Sequence, residues 1–536
     1  MLTPAFTRAR DEALALGTCV HSGLVGPIAP ARAPAAALSL YRFGALGGVI
    51  GIAAARFGDR TAVIDDSGQL TYSELDRRTN AIANTWRARG LHAGDGVGLL
   101  IRNHRGFLEA VFAAAKCGAR IVLLNTDFSK PQLADVARRE GVDLLVYDEE
   151  FEERLTDIEA RHGRWRAWSD TLVDDTLDAA AVGGETTRPP KPATSTKLIV
   201  LTSGTTGTPK GAVREDPRSL VPMGALLDRV PLRAREITEC CVPLFHALGF
   251  AHGLLAVALG STLVLRSRFD PVQILESIHR NQVTALIVVP IMLTRMLDAQ
   301  TDVAPRTESL RIIFVAGSQL GAELGRRTLE AFGPVVYNLY GSTEVAYATI
   351  ATPDDLLAEP ACVGKTVRGV VMRILDDAGH ELPTGQPGRI FVANSFQFEG
   401  YTGGGTKESI DGLMSSGDVG HVDEAGRLFI DGRDDDMIVS GGENVFPGEI
   451  EELLFTHPHI ADAAVLGVPD PDYGHRLRAF VVPRSDGELT EDDVKSFVRE
   501  NLARYKVPRE VVLVDELPRN ATGKILKREL RTRSEQ

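Results

Sequence analysis

TSGTTGTPK, residues 202–210, follows directly on the apolar run KLIVL at 197–201. A strand that empties into a loop of Ser, Thr, Gly, Pro and Lys can turn several backbone N–H groups and hydroxyls toward phosphate oxygens, and Lys210 adds a point charge. The spacing is not G-x-x-x-x-G-K-[ST], so this is not a Walker A loop. Thr202, Ser203, Gly204, Thr205, Thr206, Gly207 and Lys210 are therefore candidate phosphate-binding residues. Working outward from the loop, strand-like runs at Val97–Ile101, Ile121–Leu124, Leu144–Tyr147, Leu263–Leu265, Ala285–Val289 and Arg311–Ala316 alternate with helical segments. That alternation predicts α/β layers with largely parallel sheets. A helix is expected from Thr71, with Leu75, Ile82 and Trp86 at helical spacing.

The text changes character at Thr366. From there to about Ile430, short strands and frequent Gly and Pro turns predict a small β-rich subdomain. After the polar turn 431–436 (DGRDDD), a compact α+β unit is expected: a helix at Glu449–Phe455, strands at Ala463–Val468 and Leu477–Val482, and a helix at Thr490–Leu502. Thr490 with Asp493 forms an Asp variant of the capping box. The chain thus reads as an N-terminal arm (1–50), a large part of two α/β subdomains plus the β-rich one (51–434), and a small mobile C-terminal domain (435–536). Residues 1–50, rich in Ala, Pro and Gly, are expected to form an irregular or partly helical arm.

Composition narrows the function. A length of 536 residues implies several folding units, at roughly one per 100–200 residues. The formal charge of −13 disfavours a non-specific grip on nucleic acid, so a polyanionic ligand must be held locally. Cys19, Cys117, Cys240, Cys241 and Cys362 show no C-x-x-C spacing, which points to a reducing, cytoplasmic setting. No signal peptide is expected. The apolar stretch Ala35–Ala55 carries Arg42 and four glycines, which make it a poor membrane span; an interfacial helix, peripheral membrane contact and a homodimer stay open.

Four further constellations carry chemistry. In YNLYGSTE (337–344), an aromatic beside a Gly turn is followed by hydroxyls and a carboxylate. They supply a stacking face, hydrogen bonds to phosphate and a ligand for Mg²⁺, from Tyr340, Gly341, Ser342, Thr343 and Glu344. AGSQL (316–320) ends a strand on small residues, so a flat base or acyl chain can approach the backbone at Gly317 and Ser318. SSGDVG (415–420) places Asp418 in a turn where its carboxylate can accept two ribose hydroxyls. LPRNATGKILKREL (517–530) puts Lys524 in a Gly turn from which it can reach outward.

In this order, the motifs resemble the adenylate-forming superfamily of acyl- and aryl-CoA synthetases, luciferases and peptide-synthetase adenylation domains. The resemblance runs from about Asp59 to Leu530, and within the superfamily the chain looks most like bacterial fatty-acyl-CoA synthetases. It implies that Tyr340, Gly317 and Ser318 border adenine, that Thr343 contacts phosphate, and that Glu344 helps to hold Mg²⁺. Asp418 and Arg433 would reach the ribose, Asp435 would be a hinge, and Gly441 and Gly442 would line the pantetheine arm of coenzyme A. Lys524 would bridge the substrate carboxylate and the α-phosphate. His246, in VPLFHALGF (242–250), falls where the family places a histidine beside the acyl pocket, as a gate or orienting group. Asp472-Tyr473-Gly474-His475 departs from the Gly-Glu pair of many relatives, so no role passes to His475. The implied activity is ATP-dependent ligation of a carboxylic acid, a fatty acid by this likeness, to CoA through acyl-AMP, with Mg²⁺ as cofactor. Loading of a carrier protein is the alternative acceptor chemistry. A non-catalytic nucleotide-binding or acyl-CoA-binding protein is the rival from another class.

Overall fold

The computed structural model describes residues 4–169, 175–202, 210–214, 219–299, 307–398, 400–402, 406–434, 438–440, 443–470, 474–484, 489–520 and 523–533. Contacts divide the chain into two compact units: residues 1–288 with 298–314 and 395–407, and residues 289–297 with 315–394 and 408–536.

The first unit holds two parallel-dominated sheets. One runs in the order Arg164–Trp168, Val142–Asp148, Gly96–Leu100, Arg120–Leu123, Lys197–Thr202 and Lys210–Arg214; all neighbours are parallel except the last pair, which is an antiparallel hairpin. The other sets Thr61–Asp65, Thr262–Val264, Ile237–Cys240 and Ala285–Val288 parallel, with Gly68–Thr71 antiparallel at the edge. Fully buried apolar strands such as Val97, Leu99 and Ile287 are what parallel sheets covered on both faces require. Helix α3 (Tyr72–Ala88) starts where expected: Thr71 caps the Glu74 amide and Glu74 returns the bond to the Thr71 amide. Its Leu75, Ile82 and Trp86 are fully buried.

Helix α4 (Arg105–Cys117) is buried along nearly its whole length, charged residues included. Lys116 is tolerated there because its ammonium meets Asp76 Oδ1, Thr79 Oγ1 and Asn80 Oδ1, each at 2.7 Å. Glu109 is held by Arg78. Buried charge that is paired and hydrogen-bonded escapes the large cost of an isolated ion.

The N-terminal arm is more regular than its composition suggests. Residues Pro4–Ser22 form α1 and Ala33–Phe57 form α2, which runs on through residue 50. Glycine content concealed α2, yet those glycines serve close packing: a Cβ at Gly47 would come within 3.2 Å of the Ala115 backbone in α4. Gly44 alone breaks the helical backbone, as a kink. By length and composition alone α2 is apolar enough to cross a membrane, but the break at Gly44 and the burial of Leu46, Ile50, Ala53 and Phe57 in the unit agree with its reading as a poor span.

In the second unit, Val336–Tyr340, Thr349–Ala351 and Lys365–Thr366 pair antiparallel. The β-rich segment is a five-stranded antiparallel sheet of Val371–Leu375, Gly388–Ala393, Ser409–Ile410, Leu413–Val422 and Leu428–Arg433. The C-terminal α+β part packs helices Pro447–Phe455 and Glu491–Asn501 on a five-stranded sheet whose longest pair is Ile460–Asp470 with Gly474–Pro483. Ile450, Leu454, Val465, Val481, Val494 and Val498 form its core. The Thr490–Asp493 capping box is present.

Candidate active site

Tyr340 ends its strand, and its hydroxyl donates to Asp418 Oδ2 at 2.6 Å. Asp418 stands opposite Arg433 in the hairpin ladder, and Arg433 Nη1 lies 3.3 Å from its Oδ1. One carboxylate is thus fixed between a phenol and a guanidinium. Burial, and then the charge of Asp418, hold the Tyr340 hydroxyl well above the usual phenol range, so it remains a donor.

The loop after Tyr340 folds back on itself. At Gly341 a Cβ would sit 2.1 Å from the Ala346 carbonyl oxygen, so only glycine fits. Ser342 Oγ donates to Glu344 Oε2 at 2.9 Å and accepts the Glu344 and Val345 amides, which aims the carboxylate. Asn394 braces the same loop by donating to the carbonyls of Val345 and Tyr347 at 2.7 and 3.1 Å. Thr343 is half-buried in this loop, and Gly317 has a left-handed φ of 99° beside exposed Ser318. All these residues belong to the second unit.

Lys524 lies in that unit too, exposed on a tightly braced turn. Its amide donates to Asn520 Oδ1 at 2.9 Å, and its carbonyl accepts the Asn520 amide at 2.9 Å. Arg519 bonds the Gly523 carbonyl and pairs with Asp462 Oδ2 at 2.6 Å. Gly523 has a φ of 77°, and a Cβ there would meet Ile291 Cγ2 at 2.3 Å. Gln319 Nε2 donates to Glu452 Oε1 at 2.7 Å, which ties the AGSQL segment to helix Pro447–Phe455. Glu452 is thereby engaged in a side-chain contact of its own. Burial raises its pKa.

In the first unit, Thr202 and Lys210 face one another in register at the mouth of the hairpin. The strand Lys210–Arg214 is strapped by Tyr401–Thr402: the Thr402 amide donates to the Gly211 carbonyl at 2.9 Å, and Thr402 Oγ1 donates to Glu140 Oε1 at 2.8 Å. Ser203, Gly204, Thr205, Thr206, Gly207, Asp435, Gly441 and Gly442 lie outside the described residues.

His246 is the N-cap of helix Ala247–Leu259, yet its side chain makes no cap hydrogen bond. Its ring lies 4.4 Å from that of Phe245, and its buried Nε2 has no hydrogen-bond partner among the described residues. Burial pushes its pKa down to about 4, so it is neutral at physiological pH. Two turns on, His252 donates Nδ1–H to the Leu248 carbonyl and is likewise pushed to about 4. Sequence reasoning passed over His252, as it did Asn394, Asn520, Arg519 and the Thr402 strap.

These groups shape the acid stability of the protein. Between pH 6.5 and about 4 the unfolded chain takes up protons at His246 and His252 that the folded chain refuses, so stability falls as pH falls. Buried Glu239, raised from 4.5 to about 7, works the other way: the folded state holds its proton from about 7 down to 4.5, so stability rises as pH falls. Each proton is worth about 1.4 kcal/mol per pH unit. Urea unfolding of the His246→Gln/His252→Phe double variant should therefore lack about two protons' worth of slope between pH 4.5 and 6.5. A slope unchanged from the parent would contradict the assignment.

The AMP-binding enzyme family matches residues 52–402, and the AMP-binding enzyme C-terminal domain matches residues 449–524. The chain belongs to the AMP-binding enzyme family. A feruloyl-CoA synthase from an Amycolatopsis species is 34% identical over 479 residues, covering 88% of this chain and 96% of that protein. The fatty acid–[acyl-carrier-protein] ligase ScoC of Streptomyces coeruleorubidus is 32% identical over 490 residues, covering 88% and 93%. The o-succinylbenzoate CoA synthetase of Bacillus subtilis, solved with its acyl-adenylate intermediate, superposes with a TM-score of 0.79 at 27% identity, covering 90% of this chain and 97% of that one. As an AMP-binding enzyme, the protein is an adenylate-forming acyl- or aryl-CoA ligase that uses ATP, Mg²⁺ and CoA.

Proposed function

We propose that this AMP-binding enzyme activates a fatty acid as acyl-AMP and passes the acyl group to CoA. The observation that carries the adenylation reading is the Tyr340–Asp418–Arg433 cluster, in one unit with the Glu344 loop and the Lys524 turn. Tyr340, Gly317 and Ser318 would receive adenine, Asp418 the ribose hydroxyls, and Thr343 with the Thr202–Lys210 loop the phosphates. A carboxylate aimed by a hydroxyl, as at Glu344, suits Mg²⁺, which takes one or two carboxylates and offsets phosphate charge when bound.

In the first step a carboxylate oxygen of the acid bonds to the α-phosphorus of ATP while the bond to pyrophosphate breaks, its electron pair leaving with pyrophosphate. Lys524 would stabilise the charge that develops there. In the second step the CoA sulfur bonds to the carbonyl carbon, the bond to AMP breaks, and the thiol proton passes to solvent. Gly441 and Gly442 would admit the pantetheine arm, Asp435 would be the hinge between the two steps, and His246 would gate the acyl pocket.

Similarity to a fatty acid–[acyl-carrier-protein] ligase supports an acid with a hydrocarbon body. An aryl acid is the second reading, favoured by the similarity to a feruloyl-CoA synthase. A pyrophosphate-release screen over fatty acids, ferulate and 2-succinylbenzoate, with and without CoA, decides between them. We expect the highest kcat/KM with a fatty acid and thioester formation only when CoA is added. Preference for ferulate would move the assignment to aryl acids. Adenylation without thioester would favour a carrier protein as acceptor, the chemistry named for ScoC, and no acid-dependent signal would favour a binding protein. In the same assay Asp435→Pro should lose thioester formation more than adenylation; equal losses would refute a hinge there.

A further inference from the structure

Helix α2 begins ahead of residue 52, where the family match starts. Its inward stripe, which includes Ala36, Ser39 and Phe43, is buried. The opposite stripe, Pro34, Ala37, Leu38 and Tyr41, all ahead of the break at Gly44, follows the three- and four-residue spacing of a single helix face and is exposed throughout. Every member is apolar or aromatic, where the solvent face of a soluble helix normally carries charge. Tyr41 is 69% exposed, and neighbouring Leu40 is 50% exposed.

Cations border this stripe. Lys191 Nζ stands 3.9 Å from the centre of the Tyr41 ring, Arg42 Nη1 donates to the Pro189 carbonyl at 3.1 Å, and Arg188 Nη1 donates to the Ala35 carbonyl at 3.0 Å. Among the described residues no carboxylate forms an ion pair with any of the three. Helix α2 itself contains no acidic residue, in a chain whose formal charge is −13. An exposed apolar stripe edged by unneutralised cations, with a tyrosine at the boundary, matches the chemistry of an anionic lipid surface.

We propose that the N-terminal half of α2 docks in the plane of an anionic bilayer, with Leu38 and Tyr41 at the acyl boundary and Arg42, Arg188 and Lys191 at the headgroups. The C-terminal half does not enter the membrane, because Leu46, Ile50 and Phe57 belong to the protein core. The apolar stripe supplies depth, the cations select the lipid, and the kink at Gly44 marks where the lipid-facing half ends.

Co-sedimentation of the full chain with phosphatidylcholine vesicles, with and without phosphatidylglycerol, tests this. Binding is expected only when phosphatidylglycerol is present, and it should weaken as salt rises. Leu38→Glu/Tyr41→Glu should lower the apparent affinity about tenfold or more, and Arg42→Glu/Lys191→Glu should do the same. Pyrophosphate release with a water-soluble acid and the circular dichroism spectrum should not change in either variant. Binding indifferent to lipid charge, or equal binding by parent and variants, would overturn the proposal. So would a concentration-dependent dimer that Leu38→Glu/Tyr41→Glu dissociates, because the stripe would then belong to a second copy of the chain.

Discussion

Lys524→Ala is expected to cut carboxylate-dependent pyrophosphate release by about two to three orders of magnitude, the usual effect of removing one preorganised group from a developing charge. ATP binding should persist, because the Tyr340–Asp418–Arg433 cluster is untouched. The size of the effect follows from how the lysine is presented. Its turn is fixed at both ends by Asn520, the Gly523 carbonyl is held by Arg519, and Arg519 is anchored on Asp462. The cation therefore starts from a defined place, and reorienting it adds little to the barrier. Asn520→Ala should give a smaller loss, in kcat more than in KM for ATP, because the cation remains while its turn loosens. Adenylation retained in Lys524→Ala would sink the role assigned to this residue.

Asp418→Ala should raise KM for ATP about 10–100-fold, the range expected when charged hydrogen bonds to two hydroxyls are lost. Two groups that now share the carboxylate, the Tyr340 hydroxyl and the Arg433 guanidinium, would both lose that acceptor. Tyr340→Phe separates these contributions. It removes the hydroxyl that donates to Asp418 and keeps the ring face, so only a few-fold rise in KM is expected. A KM for ATP unchanged in Asp418→Ala would show that the ribose is held elsewhere.

Much of the architecture could be read from periodicity. The α3 start at Thr71, the capping box at Thr490 and the buried strands around Val97, Ile121 and Leu144 are local signals, each contained within a few residues. The extent of helix α2 was less legible, because a glycine-rich stretch can read as loop or as helix, whereas here the glycines let a helix lie close against α4. The residues that position the site were less legible than those proposed to act in it. Glu344, Asp418 and Lys524 sit in distinctive motifs, but Asn394 is 49 residues from the carbonyl it holds at Val345, and Thr402 is 262 residues from Glu140. An asparagine or threonine in an ordinary polar stretch carries no spacing signal. Only the folded chain shows which carbonyl it reaches. The depressed histidines were hidden for a related reason, since burial from every side is a property of packing and not of neighbours in sequence.

Asp418 and Arg433 meet because they are partners across an antiparallel ladder, and the far end of that ladder is closed by a turn in which Asp423 accepts the Arg427 amide and pairs with its guanidinium at 2.7 Å. A slip of one residue would set Gly432 or Asp434 opposite Asp418 and flip the side chains to the other face of the sheet. The turn is thus a gauge that sets the alignment of the site from a distance. A graft between relatives that keeps both strands but trades only the loop joining them risks losing nucleotide affinity without losing the fold, whereas exchanging 413–433 as one piece carries its own alignment with it.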